Sequence, residues 1–234
     1  MVQFVLTIVG NSVGVPLELL VIGAMLHGGF RRFPLVFAYV IAEFLTTCVE
    51  TPLALESYYT RDRHVTKLYV LWYWGDEIAL QVLVFGAVLS LIWLATSDAR
   101  SRRVLRMALI AGVILFAGIS FVAHISEHKG EVGEWMTPWA RDLNFGAAIL
   151  DMFLWAMLIT RGRKELLMLS GGLGIMFTGE AIGESIRTFS SAASPALSLV
   201  GSILILVTNL AFLYVWWQTF RAPRAVVVVA AKFQ

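Results

Sequence analysis

Seven stretches of this chain are each apolar and long enough to cross a bilayer, yet six of them carry carboxylates or amides at positions lipid would penalise. A helix needs about 20 predominantly apolar residues to span the hydrocarbon layer, where ionised side chains are rare and usually functional. The expected fold is therefore all-α: an integral membrane bundle of seven transmembrane helices with a polar interior. Composition agrees, because 59% hydrophobic and only 15% charged residues cannot clothe a water-exposed globular surface.

The spans fall at roughly 4–26, 34–56, 68–95, 104–125, 141–160, 166–189 and 196–218. Their connections are short, so consecutive helices should be antiparallel neighbours. Within 234 residues this leaves one transmembrane domain, 1–221, and a short cytoplasmic tail, 222–234. Met1 to Phe4 carry no positive charge and the apolar run continues past Pro16 and Glu18, which reads as a retained span rather than a cleaved signal. The single cysteine, Cys48, excludes an intramolecular disulfide.

Lys and Arg divide unevenly between the two sides. Arg31, Arg32, Arg100, Arg102, Arg103, Arg106, Arg161, Arg163, Lys164, Arg221, Arg224 and Lys232 fall on one; Arg61, Arg63, Lys67, Lys129, Arg141 and Arg187 fall on the other. By the positive-inside rule the N-terminus is outside and the C-terminus cytoplasmic. The tryptophans are expected as an aromatic belt at both faces, with Trp93, Trp155, Trp216 and Trp217 nearer the inner one.

Helical geometry turns the polar residues into seams. Asn11 and Glu18, Glu43 and Glu50, and Asn144 and Asp151 are each seven residues apart, about two turns, so each pair shares a face. Glu77 and Gln81 are four apart with Asp76 adjacent; Glu180, Glu184 and Arg187 form a stripe; the last span contributes Asn209. Such seams should face inward. Glu18, Glu43, Glu50, Asp76, Glu77, Asp151, Glu180 and Glu184 are eight acids, against Arg187 as the one base at comparable depth. They cannot all be ionised in a low-dielectric interior without protons, a bound cation or water to compensate them. Acid density rises toward the outer side, which points to an outward-opening pocket above a drier cytoplasmic half.

Other features are local. His124 and His128, one turn apart, could share a metal with Asp142 as a third ligand. Gly179 and Gly183 have the spacing of close helix packing, within the bundle or across a homo-oligomer face. Pro16 and Pro52 lie within two residues of a carboxylate and free a backbone carbonyl. Arg187 pairs most simply with Glu184.

No nucleotide-binding loop, nucleophile elbow, zinc-protease or dinucleotide signature occurs, and topology accounts for the basic residues, so nucleic acid is not an expected partner. Seven spans with an outside N-terminus resemble the rhodopsin-type topology. That family's retinal Schiff base needs a lysine in the seventh helix, and here Lys67, Lys129, Lys164 and Lys232 all lie outside the spans. The topology is also similar to ceramidase-type zinc hydrolases, whose late-helix histidines have no counterpart in the last span. Arg31-Arg32-Phe33-Pro34-Leu35-Val36-Phe37-Ala38-Tyr39 and Tyr73-Trp74-Gly75-Asp76-Glu77 look like stretches of uncharacterised bacterial seven-span proteins. That resemblance implies a bacterial inner membrane and no particular activity.

The expected function is a non-enzymatic, sensor-like or binding component of the lipid bilayer whose acidic pocket takes a cation, protons or a small ligand. A cation-coupled transporter, a metal-dependent hydrolase and a structural subunit serving a membrane-protein partner are the alternatives.

Overall fold

The computed structural model describes residues 2–60, 63–96, 102–127, 132–159, 163–190 and 195–221. They form α1 (Val2–Leu26), α2 (Pro34–Thr60), α3 (Arg63–Ala95), α4 (Arg102–Glu127), α5 (Val132–Ile159), α6 (Lys164–Ser190) and α7 (Pro195–Arg221). All seven contain a stretch long and apolar enough to cross a membrane. This is a multi-pass membrane protein. Residues 222–234, read from sequence as a tail, lie outside the described residues.

Helix ends follow local chemistry. Gly28 has φ 120°, a left-handed conformation that side chains resist, and its N–H closes onto the Met25 carbonyl at 3.1 Å to end α1. Proline opens both α2 and α7, where its missing N–H interrupts no intrahelical bond. The largest departure from the sequence reading is α5, which begins at Val132 rather than near 141 and runs through Pro138. Its first turns are fastened from the side. Met136 is buried, Trp139 donates its indole N–H to the Ala117 carbonyl at 3.2 Å, and Asp142 bonds α4.

The packing neighbours α1–α2, α2–α3, α3–α5, α5–α6, α6–α7 and α7–α1 close a ring of six helices. The helix left out is α4, which leans on α5 and touches α3 from outside. Only 6% of its spanning window is buried, so its apolar face is available to lipid. The six ring helices are the six whose sequences carry a polar seam. Lipid tolerates the unseamed helix on the periphery, while the seams turn toward one another.

Closure depends on the α6–α7 contact. A Cβ on Gly183 would lie 2.8 Å from the Gly201 carbonyl, and one on Gly201 would lie 2.6 Å from that of Gly183, so only bare backbones can meet there. A Cβ on Gly179 would collide with Thr208 in the same way. The Gly-x-x-x-Gly spacing thus serves packing within the bundle.

The two ends of the ring are built differently. Where α1, α3, α5 and α7 finish and α2 and α6 begin, Met25, Phe33, Val36, Ile92, Leu158 and Trp216 are buried in one apolar core. This is the basic end. Arg32 pairs with Glu165, Arg163 donates to the Leu94 carbonyl at 2.6 Å, and Arg221 stands 4.7 Å over the Trp217 ring. At the opposite end, among the described residues, α2 beyond Val40 and α3 before Val84 bury no apolar side chain. One expectation fails here. Trp216 is no belt residue: it is fully buried, and its indole N–H bonds the Leu169 carbonyl at 3.0 Å.

Candidate functional site: carboxylates across one half of the ring

The acids reach each other across the ring. Glu43 on α2 lies within electrostatic reach of Glu18 on α1 and Glu180 on α6. Since α2 and α6 are not packing neighbours, these side chains point into the ring's middle. Glu180 is in turn within reach of Glu77 on α3 and Glu184 on its own helix. Glu50 lies beside Asp76, close enough for their side chains to interact, with Glu77 nearby. Six acids from four helices, Glu18, Glu43, Glu50, Asp76, Glu77 and Glu180, therefore share one electrostatic neighbourhood.

One predicted member stands apart, and another joins the cluster only from its rim. Asp151 is buried between α5 and α6, where it accepts a 2.8 Å hydrogen bond from Ser170, and among the described residues no other carboxylate acts on it. Glu184 is half-exposed at the rim and pairs with Arg187 at 2.6 Å, one turn away on the same helix. Asp151 is a privately satisfied strut, and Glu184 is the partner the sequence suggested for Arg187.

Amides and a phenol complete the arrangement. Asn144 donates its amide to Glu180, tying α5 to α6, and Gln81 donates to Glu77 at 3.3 Å along α3. Asn11 donates to the Thr51 hydroxyl at 2.6 Å, joining α1 to α2. Tyr39 lies one turn before Glu43 and within its hydrogen-bonding reach. Its hydroxyl also meets the Met176 sulfur at 3.5 Å, and its ring packs edge-on against Phe212 and Trp216. Tyr39 thus marks the level at which the acidic half meets the apolar core. Sequence reasoning placed neither Tyr39 nor Ser170. The spacing of Tyr39 to Glu43, one turn on a polar face, was the available signal; Ser170 sits in an apolar run and offered none.

Several polar atoms remain unanswered. Glu18 Oε2, Glu43 Oε2, Gln81 Oε1, Asn144 Oδ1 and Asn209 Oδ1 are buried without a well-formed hydrogen bond, whereas Asp76 has the Thr46 hydroxyl and backbone N–H groups within reach. A buried polar group left unpaired costs about 1–3 kcal/mol, so several such atoms together call for compensation.

The α4–α5 contact is a separate feature. Asp142 Oδ2 accepts from the Ser120 hydroxyl at 2.6 Å and lies 3.0 Å from His124 Nε2. The proposed metal partners His124 and Asp142 are thus neighbours, whereas His128 lies outside the described residues. Among the described residues no three His, Cys, Asp or Glu side chains gather closely enough to hold a metal ion. The order of groups also differs from a nucleophilic triad, because the serine hydroxyl is turned toward the aspartate and not toward the imidazole. What the contact does is fasten α4 to the ring.

Comparison with protein-family models, with curated proteins and with solved structures finds no match.

Proposed function

We propose that this protein is a binding component of sensor type, set in a bacterial inner membrane with its N-terminus outside, whose intramembrane acidic half takes up protons, a cation or a small ligand from the outer side. The observation that carries this reading is that Glu43 and Glu180, from helices that do not pack together, lie within electrostatic reach of each other. Stability alone does not call for it, since like charges in a low-dielectric interior repel and desolvation penalises each of them. An occupant or proton uptake offsets both terms. The lower density of buried apolar side chains around the carboxylates supports access from that end, and the distribution of basic residues supports placing that end outside.

Binding here would be read out by helix rearrangement. An occupant drawing α2, α3 and α6 together would act on the ring's looser half, while the packed half holds the helices in register. The outer ends can then change spacing with little change at the inner ends. A transporter needs a polar route past Tyr39, Phe212 and Trp216, and the packed aromatic contact among them counts against that alternative.

The test is the paired amide variant E77Q/E180Q in purified, lipid-reconstituted protein. Tryptophan fluorescence and the unfolding midpoint, followed against pH and against added cations, are expected to respond in the native protein and to lose that response in the variant. An unchanged response in both measurements sinks the reading.

A further inference from the structure

We infer that the occupant of the acidic half is a small organic cation carrying several N–H donors, of the primary-amine or guanidinium class; this rests on the binding reading above and narrows it.

The polarity of the unpaired atoms is one-sided. Among the described residues of the acidic half they are all oxygens, on Glu18, Glu43, Gln81, Asn144 and Asn209. The two buried donors without a hydrogen bond, Trp93 Nε1 and Arg106 Nε, lie elsewhere, at the α3–α4 contact near the basic end, where the Arg106 guanidinium stands 5.3 Å over the Trp93 ring. An interior with acceptors to spare and no donors is matched by a ligand of opposite character. Anions and acceptor-rich neutral molecules are thereby disfavoured.

Asn144 and Gln81 each turn their NH₂ to a carboxyl group, Glu180 and Glu77 respectively. Their carbonyl oxygens are left facing away from those partners and unbonded. Glu18 supplies an independent pointer: at 4% exposure it is buried, it lies within reach of Glu43, and its Oε2 has no partner. Among the described residues nothing in the chain pairs with that oxygen.

Spacing separates an organic cation from a metal ion. A metal gathers its oxygen ligands into one shell about 2.0–2.6 Å from a single centre. Here no three acid side chains converge in that way among the described residues, although six are linked pair by pair through electrostatic reach. An ammonium has three donors on one nitrogen, a guanidinium five in a planar fork, and a diamine can place two charged heads on separate carboxylates. Each spans a dispersed acceptor set that a bare ion does not.

The experiment is isothermal titration and thermal unfolding of the full chain in lipid nanodiscs with 1,4-diaminobutane, guanidinium, tetramethylammonium, Mg²⁺ and Ca²⁺ at matched ionic strength. Saturable binding and stabilisation by the diamine or guanidinium is expected. Tetramethylammonium, a cation without donors, should fail. E18Q should weaken the amine by at least about tenfold, the loss of one charge-assisted contact, and N209L provides a second variant if E18Q does not fold. Equal binding of tetramethylammonium overturns the inference, because charge without donors would then suffice. Binding of Mg²⁺ or Ca²⁺ in place of the amines also overturns it. If no cation binds while the pH response of E77Q/E180Q still differs from native, the organic-cation inference falls and the proton form of the proposed function stands; if that difference is absent too, both fall.

Discussion

The basic and acidic halves of the ring use the same six helices toward opposite ends. In the basic half, side chains such as Met25, Ile92, Leu158 and Trp216 are fully enclosed, and polar groups such as Arg163 and the Trp216 indole are paired with backbone carbonyls. In the acidic half, enclosure thins, carboxylates face carboxylates, and buried oxygens go without partners. One half is therefore built for stability and the other departs from it. Departures of that kind concentrate where a protein binds or switches.

Substitutions can break or sharpen this contrast. The largest loss is expected from W216A, which empties the aromatic contact at the core and removes the bond to Leu169: about 3–5 kcal/mol, seen as a lowered unfolding midpoint in detergent. G183L, forcing a side chain onto the Gly201 carbonyl, should cost about 1–3 kcal/mol and separate α6 from α7; crosslinking between these helices would report it. D142A removes the acceptor for Ser120 and the partner of His124. Its cost, roughly 1–2 kcal/mol, should appear as faster hydrogen exchange in α4 with the ring helices unaffected. For E77Q/E180Q the expected stability change is within about 1 kcal/mol, because removing crowded charge offsets the lost hydrogen bonds. Its signature is the missing pH response. A loss as large as that of W216A would erase the distinction between the halves. The smallest effect belongs to R32A. Its pair with Glu165 has side chains 49% and 32% exposed, so less than about 1 kcal/mol is expected, vanishing in high salt.

Much of the fold could be read from residue order. Span number and position came from apolar length, and the polar seams singled out α4 as the helix without one. The structure puts that helix outside the ring. The turns of α5 that precede the apolar span were not legible, because Glu134 and Pro138 look like a loop, whereas Trp139 and Asp142 find partners on α4 that hold the extra turns. Trp216 was misplaced for a related reason: hydropathy treats an indole near a helix end as interfacial and has no term for a carbonyl waiting on the neighbouring helix.

The candidate site was half legible. Shared faces such as Glu43 with Glu50 and Asn144 with Asp151 follow from 3.6 residues per turn, and both members of each pair do face the bundle. Which acids would meet was a different question. Asn144 and Asp151 face α6 together, yet one joins Glu180 and the other is answered by Ser170.

Order along the chain alone determined seven spanning helices, the seams on six of them, and the local pair of Glu184 with Arg187, because each depends on interactions within a few turns of one backbone. Tertiary structure decided that Glu43 comes within electrostatic reach of Glu180, that Asp151 stays out of the cluster and that Tyr39 packs against Met176, Phe212 and Trp216. Those outcomes require the circular order and rotation of the helices, and these are set by contacts between distant residues, such as Gly183 against Gly201, that no single segment encodes.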